Sequence, residues 1–571
     1  MRKQLPTSDH YVEPTRFGNW LRTQGVRENV DSLLLTLLFV LLFRFLQVEL
    51  YHIPTGSMAP GLQGQHLDVV CPECEHNYRS GVTPDTRGNR AICPICQHDQ
   101  ILKKSERRDH RSFAGDRIMV NRMAYGFKEP KRWDVIVFKY PNNGKQNFIK
   151  RLIGLPNEGI LIERGDIYAF DRENETFAER EICRKDPAKL KAMLQLVNDT
   201  NHISKTLLAV GWPSRWQQWR KADGHEGWQV GDDQANFTLE NDSDQYDWLR
   251  YRHLQPTSGD WQRDLSLQEP QLPVRYKQAT PPGQLITDHY AYNDEFLATQ
   301  WELNTVGTHW VGDLAVEANI NVTSSAGTVA FELVEGKAKF RCIIDVAAGK
   351  GSFETATSDD TTTLTLTDET QFDASLTGEH KVLFANADDK LFLWIDDRFV
   401  ASCHFQRTGD VVPFWSIEDP GDAEPIGIAG KQVAMKVDRL RVLRDIYYVS
   451  KNSSNPRTAE MPDGKMEYLG GPSPRVIRAI LSQPKTWDSE AADRLFKTRN
   501  RDESFVFHLE DTHLLPMGDN SPSSNDARTW DGPRYIDRSF LLGQAFFIHW
   551  PHAKTSPLPF WPNFGRMRLI R

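Results

Sequence analysis

The chain has 571 residues, of which 39% are hydrophobic and 26% charged. This composition can form packed cores and excludes a disordered chain, and the length predicts roughly three to four domains. A net charge of −8 excludes a globally basic nucleic-acid-binding protein. A mean hydropathy of −0.55 excludes a polytopic membrane protein but allows one anchor, because one helix barely changes the average of so long a chain.

The first element in chain order is an apolar helix. Residues 32–43 carry no charge, and the longer stretch 30–48 would span about 28 Å as a helix, close to the hydrocarbon thickness of a bilayer. A cleaved signal peptide would need a small-residue cleavage site, and a buried core helix would need a polar face. We therefore predict a transmembrane helix over 30–48. Basic residues in 1–29 predict that this segment is cytoplasmic and that the rest lies outside.

Four of the seven cysteines follow the helix as a compact cluster. Cys71 and Cys74 are separated by eighteen residues from Cys93 and Cys96. Such spacing is typical of a zinc ribbon, in which four thiolates converge on one metal ion. Two disulfides are the alternative, since the predicted topology puts the unit outside the cytoplasm. The spacing favours a structural zinc site in 71–96.

The rest of the chain reads mainly as strands. Alternating apolar sequence covers 113–180 and returns in 502–571. Residues 181–284 hold six tryptophans, which indicate either loops packed around aromatic rings or an aromatic surface facing lipid headgroups. Short alternating segments over 285–450 predict a β-sandwich and resemble, vaguely, concanavalin-like or laminin-G-like jelly rolls. We expect this insert to be structural or substrate-positioning rather than sugar-binding.

Candidate catalytic residues lie in three short segments. Ser57 follows Gly56 directly after the apolar helix, and Lys150 lies in an apolar strand pattern. A solvated strand-edge lysine would give the same pattern as a buried, neutral general base. A neutral amine needs no carboxylate to orient it, so a Ser–Lys dyad can replace Ser–His–Asp. The third segment, 517–528, is a polar loop between strand-like stretches.

Together these segments resemble the type I signal peptidase family of membrane-bound serine proteases. The resemblance rests on five boxes in the family's order, covering roughly 100 residues. The boxes are IPTGSMAP at 53–60, GDRIMVNRMAYG at 115–126, DVIVFKYP at 134–141, FIKRLIGLP at 148–156, and GDN followed by SNDAR and ending at 528. The cysteine cluster and most of 172–501 lie outside them.

The resemblance implies a role for each matching residue. Ser57 would be the nucleophile, Lys150 its general base, the Ser57 N–H and the Thr55 hydroxyl the oxyanion hole, and Ser524 the group that orients the lysine. Polar residues that would hold the loops are Arg151, Asp519, Asp526 and Arg528. Shallow pockets for small substrate side chains would be lined by Ile53, Met58, Leu62 and Ile149. Ser521-Pro522 replaces the commoner Arg-Asp after GDN, which leaves the surface contacts of that loop open.

The implied fold is mainly β. A catalytic domain would be assembled from 49–70, 113–180 and 502–571, with the four-cysteine zinc ribbon and the jelly-roll-like sandwich inserted. The implied function is removal of signal peptides from exported preproteins, after Ala-x-Ala-type sites, through an acyl-enzyme. No cofactor is expected for catalysis. Expected partners are preproteins, membrane lipid and a nearby secretion translocon, at a bacterial cytoplasmic membrane with a single pass.

Two other functions fit parts of the sequence. A membrane-tethered binding protein could use the ribbon and the jelly roll on an inactive protease scaffold, although Ser57 and Lys150 are both present. A self-cleaving, repressor-type Ser–Lys protease is the second, and the apolar helix and the GDN box argue against it. Cleavage of an Ala-x-Ala preprotein would separate the favoured function from the binding protein.

Overall fold

β-Strands predominate in the computed structural model, as the sequence predicts. The described residues are 24–46, 48–82, 90–101, 112–173, 179–219, 227–257, 260–261, 282–293, 307–359, 362–449, 458–460, 466–468, 474–498, 506–551 and 562–571. The helices are Gln24–Leu46, Ala124–Phe127, Pro187–Met193, Lys205–Ala209, Pro474–Ser482 and Glu490–Asp493, the last followed by a π-helical turn, Arg494–Thr498. Single 3-10 turns are Gly56–Met58, Gly421–Ala423, Pro484–Thr486, Ser521–Ser523, Arg538–Phe540 and Phe564–Arg566.

The N-terminal helix, Gln24–Leu46, has 23 residues and covers most of the stretch 30–48. Its large apolar side chains between Val30 and Leu42 are exposed. Across the part of the chain that the structure describes, no helix combines the length and hydropathy needed to cross a membrane. The transmembrane helix predicted over 30–48 is therefore not confirmed.

Sheet A is a seven-stranded antiparallel sheet assembled from all three segments assigned to the catalytic domain. Its strands, in spatial order, are Val48–His52, Arg117–Asn121, Leu541–Trp550, Val135–Tyr140, Asn143–Gly154, His513–Met517 and Ile536–Asp537. The run VIVF that begins Val135–Tyr140 is buried throughout, as expected of a strand with neighbours on both sides.

The strand Asn143–Gly154 has two different edges. Its pairing with Val135–Tyr140 sets Ile136 opposite Lys150. On its other edge, His513–Met517 pairs only with positions 151, 152 and 154. Among the described residues, 143–150 therefore has a strand neighbour on one side alone.

Sheet B packs against sheet A. It contains Glu181–Ile182, Asp166–Asp171, Glu158–Glu163 and Phe507–His508. Phe138 and Leu152 of sheet A share one apolar cluster with Ile160 and Ile167 of sheet B. This shared core gives the strand that carries Lys150 a rigid support.

Two larger sheets form a sandwich. Sheet C contains Gln229–Val230, Phe237–Asn241, Val433–Arg444, Leu314–Val322, Gly378–Ala387, Lys390–Ile395, Arg398–Arg407 and Leu364–Leu366, with Gln195–Asp199 also paired to Val433–Arg444. Sheet D contains Trp216–Trp219, Asp247–Tyr251, Ile426–Lys431, Thr328–Glu335, Ala338–Asp345, Lys350–Thr357 and Gln371–Asp373. The rings of Phe340 and Phe405, one from each sheet, have centroids 4.4 Å apart, so the sheets pack face to face.

The Trp-rich segment is part of this sandwich. Gln195–Asp199 and Phe237–Asn241 pair with one strand of sheet C, and Trp216–Trp219 is the edge of sheet D. The predicted division at residue 284 therefore falls within one pair of sheets. The tryptophans Trp212, Trp216, Trp228, Trp248 and Trp261 are buried. The prediction of an aromatic surface facing lipid headgroups is wrong for these five tryptophans, because their rings pack inside the protein.

Three small sheets complete the described structure. The cysteine cluster lies between a three-stranded sheet, Asn77–Gly81, His66–Val70 and Ser112–Phe113, and a hairpin, Arg90–Ile92 with Asp99–Ile101. The other hairpin is Thr458–Glu460 with Met466–Tyr468. Trp212 and Trp261 pack onto the cysteine cluster, so the ribbon-like unit is fastened to the insert rather than hanging free.

Candidate active site

Ser57 and Lys150, 93 positions apart in the sequence, are in direct hydrogen-bond contact. Lys150 Nζ donates to Ser57 Oγ at 2.7 Å and to the carbonyl oxygen of Ile149 at 3.1 Å. The exposed fractions are 7% for Ser57 and 3% for Lys150. The pairing of sheet A thus brings the predicted nucleophile and the predicted base into one buried contact.

Lys150 is buried because Asn143–Gly154 runs from solvent into the core, and its last five residues are covered. Loss of hydration disfavours the charged amine and lowers the pKa of Lys150 from 10.5 to about 8, with Asp526 opposing this shift and Arg528 adding to it. The Phe148 ring centroid lies 5.2 Å from Nζ. The solvated strand-edge interpretation is therefore wrong for this lysine.

The nucleophile lies in a single 3-10 turn, Gly56–Met58. Thr55 precedes the turn with an extended backbone, is exposed, and makes no side-chain capping bond. The first N–H groups of a helical turn have no partner within the turn. The Ser57 N–H belongs to this turn and the Thr55 hydroxyl lies on the residue directly before it, and their role as oxyanion donors stays a prediction.

The four polar residues that flank the site form two buried ion pairs. Arg151 donates through Nε and Nη2 to both carboxylate oxygens of Asp519, at 2.7 and 2.6 Å. Arg528 donates in the same two-pronged way to Asp526, at 2.8 and 2.7 Å. Bidentate pairing fixes the orientation of both groups. The first pair joins the lysine strand to the polar loop, and the second closes the loop on itself.

The polar loop 517–528 is bonded directly to the nucleophile turn. The Asn520 backbone N–H donates to the Ser57 carbonyl at 3.0 Å, and Asn520 Nδ2 donates to the Gly56 carbonyl at 3.0 Å. Gly518 lies so close that a Cβ there would be 2.4 Å from the Ser57 carbonyl oxygen. The loop therefore holds the turn through its backbone carbonyls and leaves the hydroxyl to the lysine.

Ser521 departs from the family pattern and still makes interior contacts. Its hydroxyl oxygen accepts from the Val449 N–H at 2.8 Å and from Arg528 Nη1 at 2.9 Å. Val449 lies five residues beyond Arg444, the end of the sandwich strand Val433–Arg444. This position thus ties the polar loop to the insert, a contact that the motif comparison did not indicate.

Ser524, the residue implied to orient the lysine, is 1% exposed. Its hydroxyl lies against Gly518, where a Cβ would be 2.2 Å from Oγ. Between these two described residues, Ser524 and Lys150, the structure has no hydrogen bond. The orienting role of Ser524 stays a prediction.

The implied pocket residues lie together beside Ser57. Ile53, Met58 and Leu62 belong to one buried apolar cluster, and Ile149 packs on it while partly exposed. Ile53 and Ile149 flank the turn and the lysine, respectively. The first three are therefore enclosed in this cluster, and Ile149 is the member of the set that solvent can reach.

Sequence reasoning missed three residues that approach the site from the insert. The Tyr290 hydroxyl donates to the Asp519 carbonyl at 2.8 Å, and the Tyr292 hydroxyl donates to the Gln65 carbonyl at 2.9 Å. Asn293 exchanges two side-chain hydrogen bonds with Asn520, at 2.7 and 2.8 Å. No motif distinguishes the sequence YAYN at 290–293, so only the folded arrangement reveals it.

The four clustered cysteines are buried and free of disulfides. Their sulfur atoms all lie within 4.8 Å of one another, with 3.5 Å between the Cys71 and Cys96 sulfurs and between those of Cys74 and Cys93. Zn–S bonds of about 2.3 Å in a tetrahedron place sulfurs roughly 3.8 Å apart. The donor set and its spacing therefore fit a tetrahedral zinc ion.

A second cluster of possible ligands is made of carboxylates. Asp166, Asp313 and Asp388 each offer an oxygen within 4.8 Å of the others. Lys185 Nζ lies 2.7 Å from Asp388 and 2.8 Å from Asp445 in the same cluster. This buried cation already balances part of the negative charge, so we assign these residues to the contact between sheet B and the sandwich.

Comparisons with known proteins show that part of the chain is similar to a family of peptidases. The family model described as "Signal peptidase, peptidase S26" matches residues 96–210, which include Lys150. Signal peptidase I of Buchnera aphidicola subsp. Baizongia pistaciae is 38% identical over 78 residues, covering 12% of this chain and 24% of that protein. Probable signal peptidase I-1 of Synechocystis sp. is 24% identical over 177 residues, covering 30% of this chain and 63% of that protein.

The chain is thus similar to signal peptidase I over part of its length. The matches to these two relatives span about a quarter and about three fifths of their own length. Among solved structures, the carbohydrate binding module CBM66 from Bacillus subtilis is 11% identical, with a TM-score of 0.18 and coverage of 41% of this chain and 93% of that chain. A likeness at that score has no bearing on what the insert does.

Proposed function

We propose that this protein is a serine endopeptidase that cleaves signal peptides from exported preproteins, with Ser57 as nucleophile and Lys150 as general base. The observation that carries the proposal is the 2.7 Å contact between a buried lysine amine and a serine hydroxyl. Both residues match the family's boxes. No carboxylate is needed in this arrangement, because a neutral amine accepts the serine proton directly.

The buried position of Lys150 makes the base effective near neutral pH. With a pKa of about 8, about one amine in ten is neutral at pH 7, against about one in three thousand for an ordinary lysine. Nζ takes the proton from Ser57 Oγ as Oγ attacks the scissile carbonyl carbon. The C–N bond then breaks, the amine leaves with a proton, and water hydrolyses the resulting ester to regenerate the hydroxyl.

The open edge of Asn143–Gly154 supports a binding mode for the substrate. Residues 143–150 pair with Val135–Tyr140 on one side and have no strand on the other within the described chain. An extended peptide can add a strand to such an edge through backbone hydrogen bonds. Its scissile bond would then lie next to Lys150, and small side chains would face the apolar floor formed by Ile53 and Met58.

The developing oxyanion would be held by the Ser57 N–H and the Thr55 hydroxyl. These donors lie on the middle residue of the turn and on the residue directly before the turn. A single donor of this kind is typically worth about 10²–10³ in rate. Thr55 supplies a hydroxyl at the position where a serine would serve equally.

The cellular setting is also part of the proposal. The exposed apolar side chains of the helix Gln24–Leu46 support an anchor in a bacterial cytoplasmic membrane, with the N-terminal segment inside. Such an anchor would keep Ser57, eleven residues beyond the helix, near the bilayer surface where signal peptides end. Preproteins, lipid and a nearby translocon would be its partners.

Zinc would have a structural role. Cys71, Cys74, Cys93 and Cys96 would hold it as four thiolates, and the ion would stabilise the small three-stranded sheet and the hairpin on either side of the cluster. The amine and the hydroxyl of the dyad carry out the catalytic steps, which require no metal chemistry.

The direct test is cleavage of a preprotein with an Ala-x-Ala site by the detergent-solubilised full chain. We expect the mature protein to begin directly after the second alanine, as read by N-terminal sequencing. Ser57→Ala, purified in parallel, should give no product. Absence of cleavage by the folded wild type would favour the tethered binding protein instead.

A further inference from the structure

The insert contributes directly to the nucleophile turn. Within residues 290–293, Tyr292 contacts the nucleophile segment, and Tyr290 and Asn293 contact the polar loop. Tyr290, Tyr292 and Asn293 are 7%, 6% and 8% exposed. A segment this buried is a fixed part of the site rather than a surface excursion.

The side chains of Asn293 and Asn520 form a closed amide pair. Asn520 Nδ2 donates to Asn293 Oδ1 at 2.7 Å, and Asn293 Nδ2 donates to Asn520 Oδ1 at 2.8 Å. The same Asn520 Nδ2 also donates to the Gly56 carbonyl at 3.0 Å. Asn293 therefore fixes which way the Asn520 amide faces, and that amide bonds to the residue before the nucleophile.

Tyr292 closes the same turn from the other side. A Cβ on Gly56 would lie 2.0 Å from Cε1 of the Tyr292 ring, so the ring rests against the Gly56 backbone. The Tyr292 hydroxyl is anchored on the Gln65 carbonyl at 2.9 Å. The turn is thus held by an aromatic ring from the insert and by an amide pair to which the insert contributes Asn293 and the polar loop contributes Asn520.

We propose that Asn293 is a positioning residue for the reaction, acting through Asn520 to hold Ser57 against Lys150. The inference rests on the proposed function and deepens it, because it makes the insert part of the catalytic apparatus. A misplacement of about 1 Å in a reacting group can cost about 10²-fold in rate. The nucleophile turn has only three residues, so its position depends on such outside contacts.

The test is a double-mutant cycle on the full chain with Asn293→Ala, Asn520→Ala and the double variant. We expect each single variant to lower kcat per folded molecule by about 10–100-fold with KM unchanged, since a loosened turn weakens the chemical step and not substrate binding. The double variant should lose little more than either single one, because both act through one amide pair.

A pH profile separates positioning from a general loss of stability. In Asn293→Ala, water should reach the Lys150 amine and raise its pKa. The pH range over which kcat/KM increases should therefore move to higher pH. The charges that face Lys150, on Asp519, Asp526 and Arg528, are unchanged in this variant. A purely structural loss would lower the active fraction and leave that pH range where it is.

Asn386→Ala is the matched control. Asn386 is a buried asparagine of the sandwich, 1% exposed, which donates to Glu335 at 3.0 Å and contacts no residue of the polar loop among its described hydrogen bonds. It should lower the thermal midpoint without changing kcat or the pH range over which kcat/KM increases. If Asn293→Ala does not fold, Asn293→Leu keeps the approximate size of the side chain and removes both hydrogen bonds to Asn520, and the same loss of kcat is expected.

The outcomes distinguish the two proposals. Two outcomes would overturn the inference and leave the peptidase function standing. One is a folded Asn293 variant with wild-type kcat. The other is a double variant in which the fold losses of kcat from Asn293→Ala and Asn520→Ala multiply, as they would for independent residues. A wild-type protein that does not cleave, or a Ser57→Ala variant that does, would overturn the function itself.

Discussion

Arg151 and Asp519 form a buried two-pronged ion pair directly behind the lysine. Both of the hydrogen bonds, at 2.7 and 2.6 Å, lie between the residue after Lys150 and the residue before Asn520. Arg151 Nη1 also donates to the Trp133 carbonyl at 2.7 Å. The pair therefore couples the position of the base to the position of the loop that holds the nucleophile.

Removing one partner of this pair should be strongly destabilising. Asp519→Ala leaves the Arg151 guanidinium buried without its carboxylate, which typically costs 3–5 kcal/mol, so we expect about that decrease in the free energy of unfolding. Denaturant unfolding measures it. Asp373→Ala, which removes an exposed carboxylate paired with the exposed Lys350, is the control and should cost less than about 1 kcal/mol. Equal losses in the two variants would contradict the assignment.

Substitution of either dyad residue should abolish cleavage. Lys150→Ala removes the base that contacts Ser57 Oγ, and Ser57→Ala removes the nucleophile, so we expect activity at background for both in a preprotein assay. Lys139→Ala is the matched control, an exposed lysine on the neighbouring strand, and should retain wild-type kcat/KM. Normal processing by Lys150→Ala would end the dyad mechanism.

Much of this site could be predicted from the sequence because its residues lie in short motifs. Ser57, Lys150 and the 517–528 loop each stand in a recognisable box, whereas the apolar strand pattern around Lys150 did not distinguish a buried lysine from a solvated one. The folded chain was needed to show the amide pair of Asn293 and Asn520. Their 227-residue separation joins two unremarkable polar positions, and no local pattern encodes such a contact.

The fold shows the same division. Alternation predicted the strands of the sandwich, since one face of each strand must be apolar. It could not predict that strands from 195–251 would join those from 426–444, because pairing partners depend on the whole sheet. For the helix Gln24–Leu46, the apolar composition could be read from the sequence. Whether the helix lies in a membrane depends on surroundings outside the chain.

The rate should rise with pH through the pKa of Lys150. Only the neutral amine accepts the serine proton. The logarithm of kcat/KM should therefore increase by about one per pH unit below about pH 8 and level off above it. Because the folded state has the lower pKa, the unfolded chain binds more protons between about pH 8 and 10.5. Burial of Lys150 therefore lowers the free energy of unfolding below about pH 8, and this destabilisation becomes smaller as the pH rises through that window.

The comparison variant for this pH effect is Lys150→Met. It lacks the titrating amine, so its free energy of unfolding should exceed that of the wild type below pH 8 and the difference should narrow toward pH 10.5. Stopped assays at fixed ionic strength and denaturant titrations at several pH values supply the two curves. An increase of kcat/KM that continues to about pH 10.5 would mean that Lys150 is solvated in the working enzyme.

Loss of the Thr55 hydroxyl should weaken catalysis without abolishing it. Thr55→Val keeps the shape of the side chain and removes one oxyanion donor, so we expect kcat to fall about 10²–10³-fold with little change in KM. Thr55→Ser retains the hydroxyl and should stay within a few-fold of wild type. Comparable losses in both variants would show that the side chain acts through packing instead of hydrogen bonding.

The cysteine cluster should contain one zinc ion per chain. Elemental analysis of the purified protein measures it, and Cys93→Ser should lower both the metal content and the thermal midpoint, because a structural zinc ion stabilises the fold of its unit. Cys342→Ser is the control: this thiol is buried in the sandwich, far in sequence from the cluster, and its loss should leave the metal content unchanged. Two disulfides in place of zinc would leave three titratable thiols in the denatured chain instead of seven. That count, together with a metal-free protein, would contradict the zinc assignment.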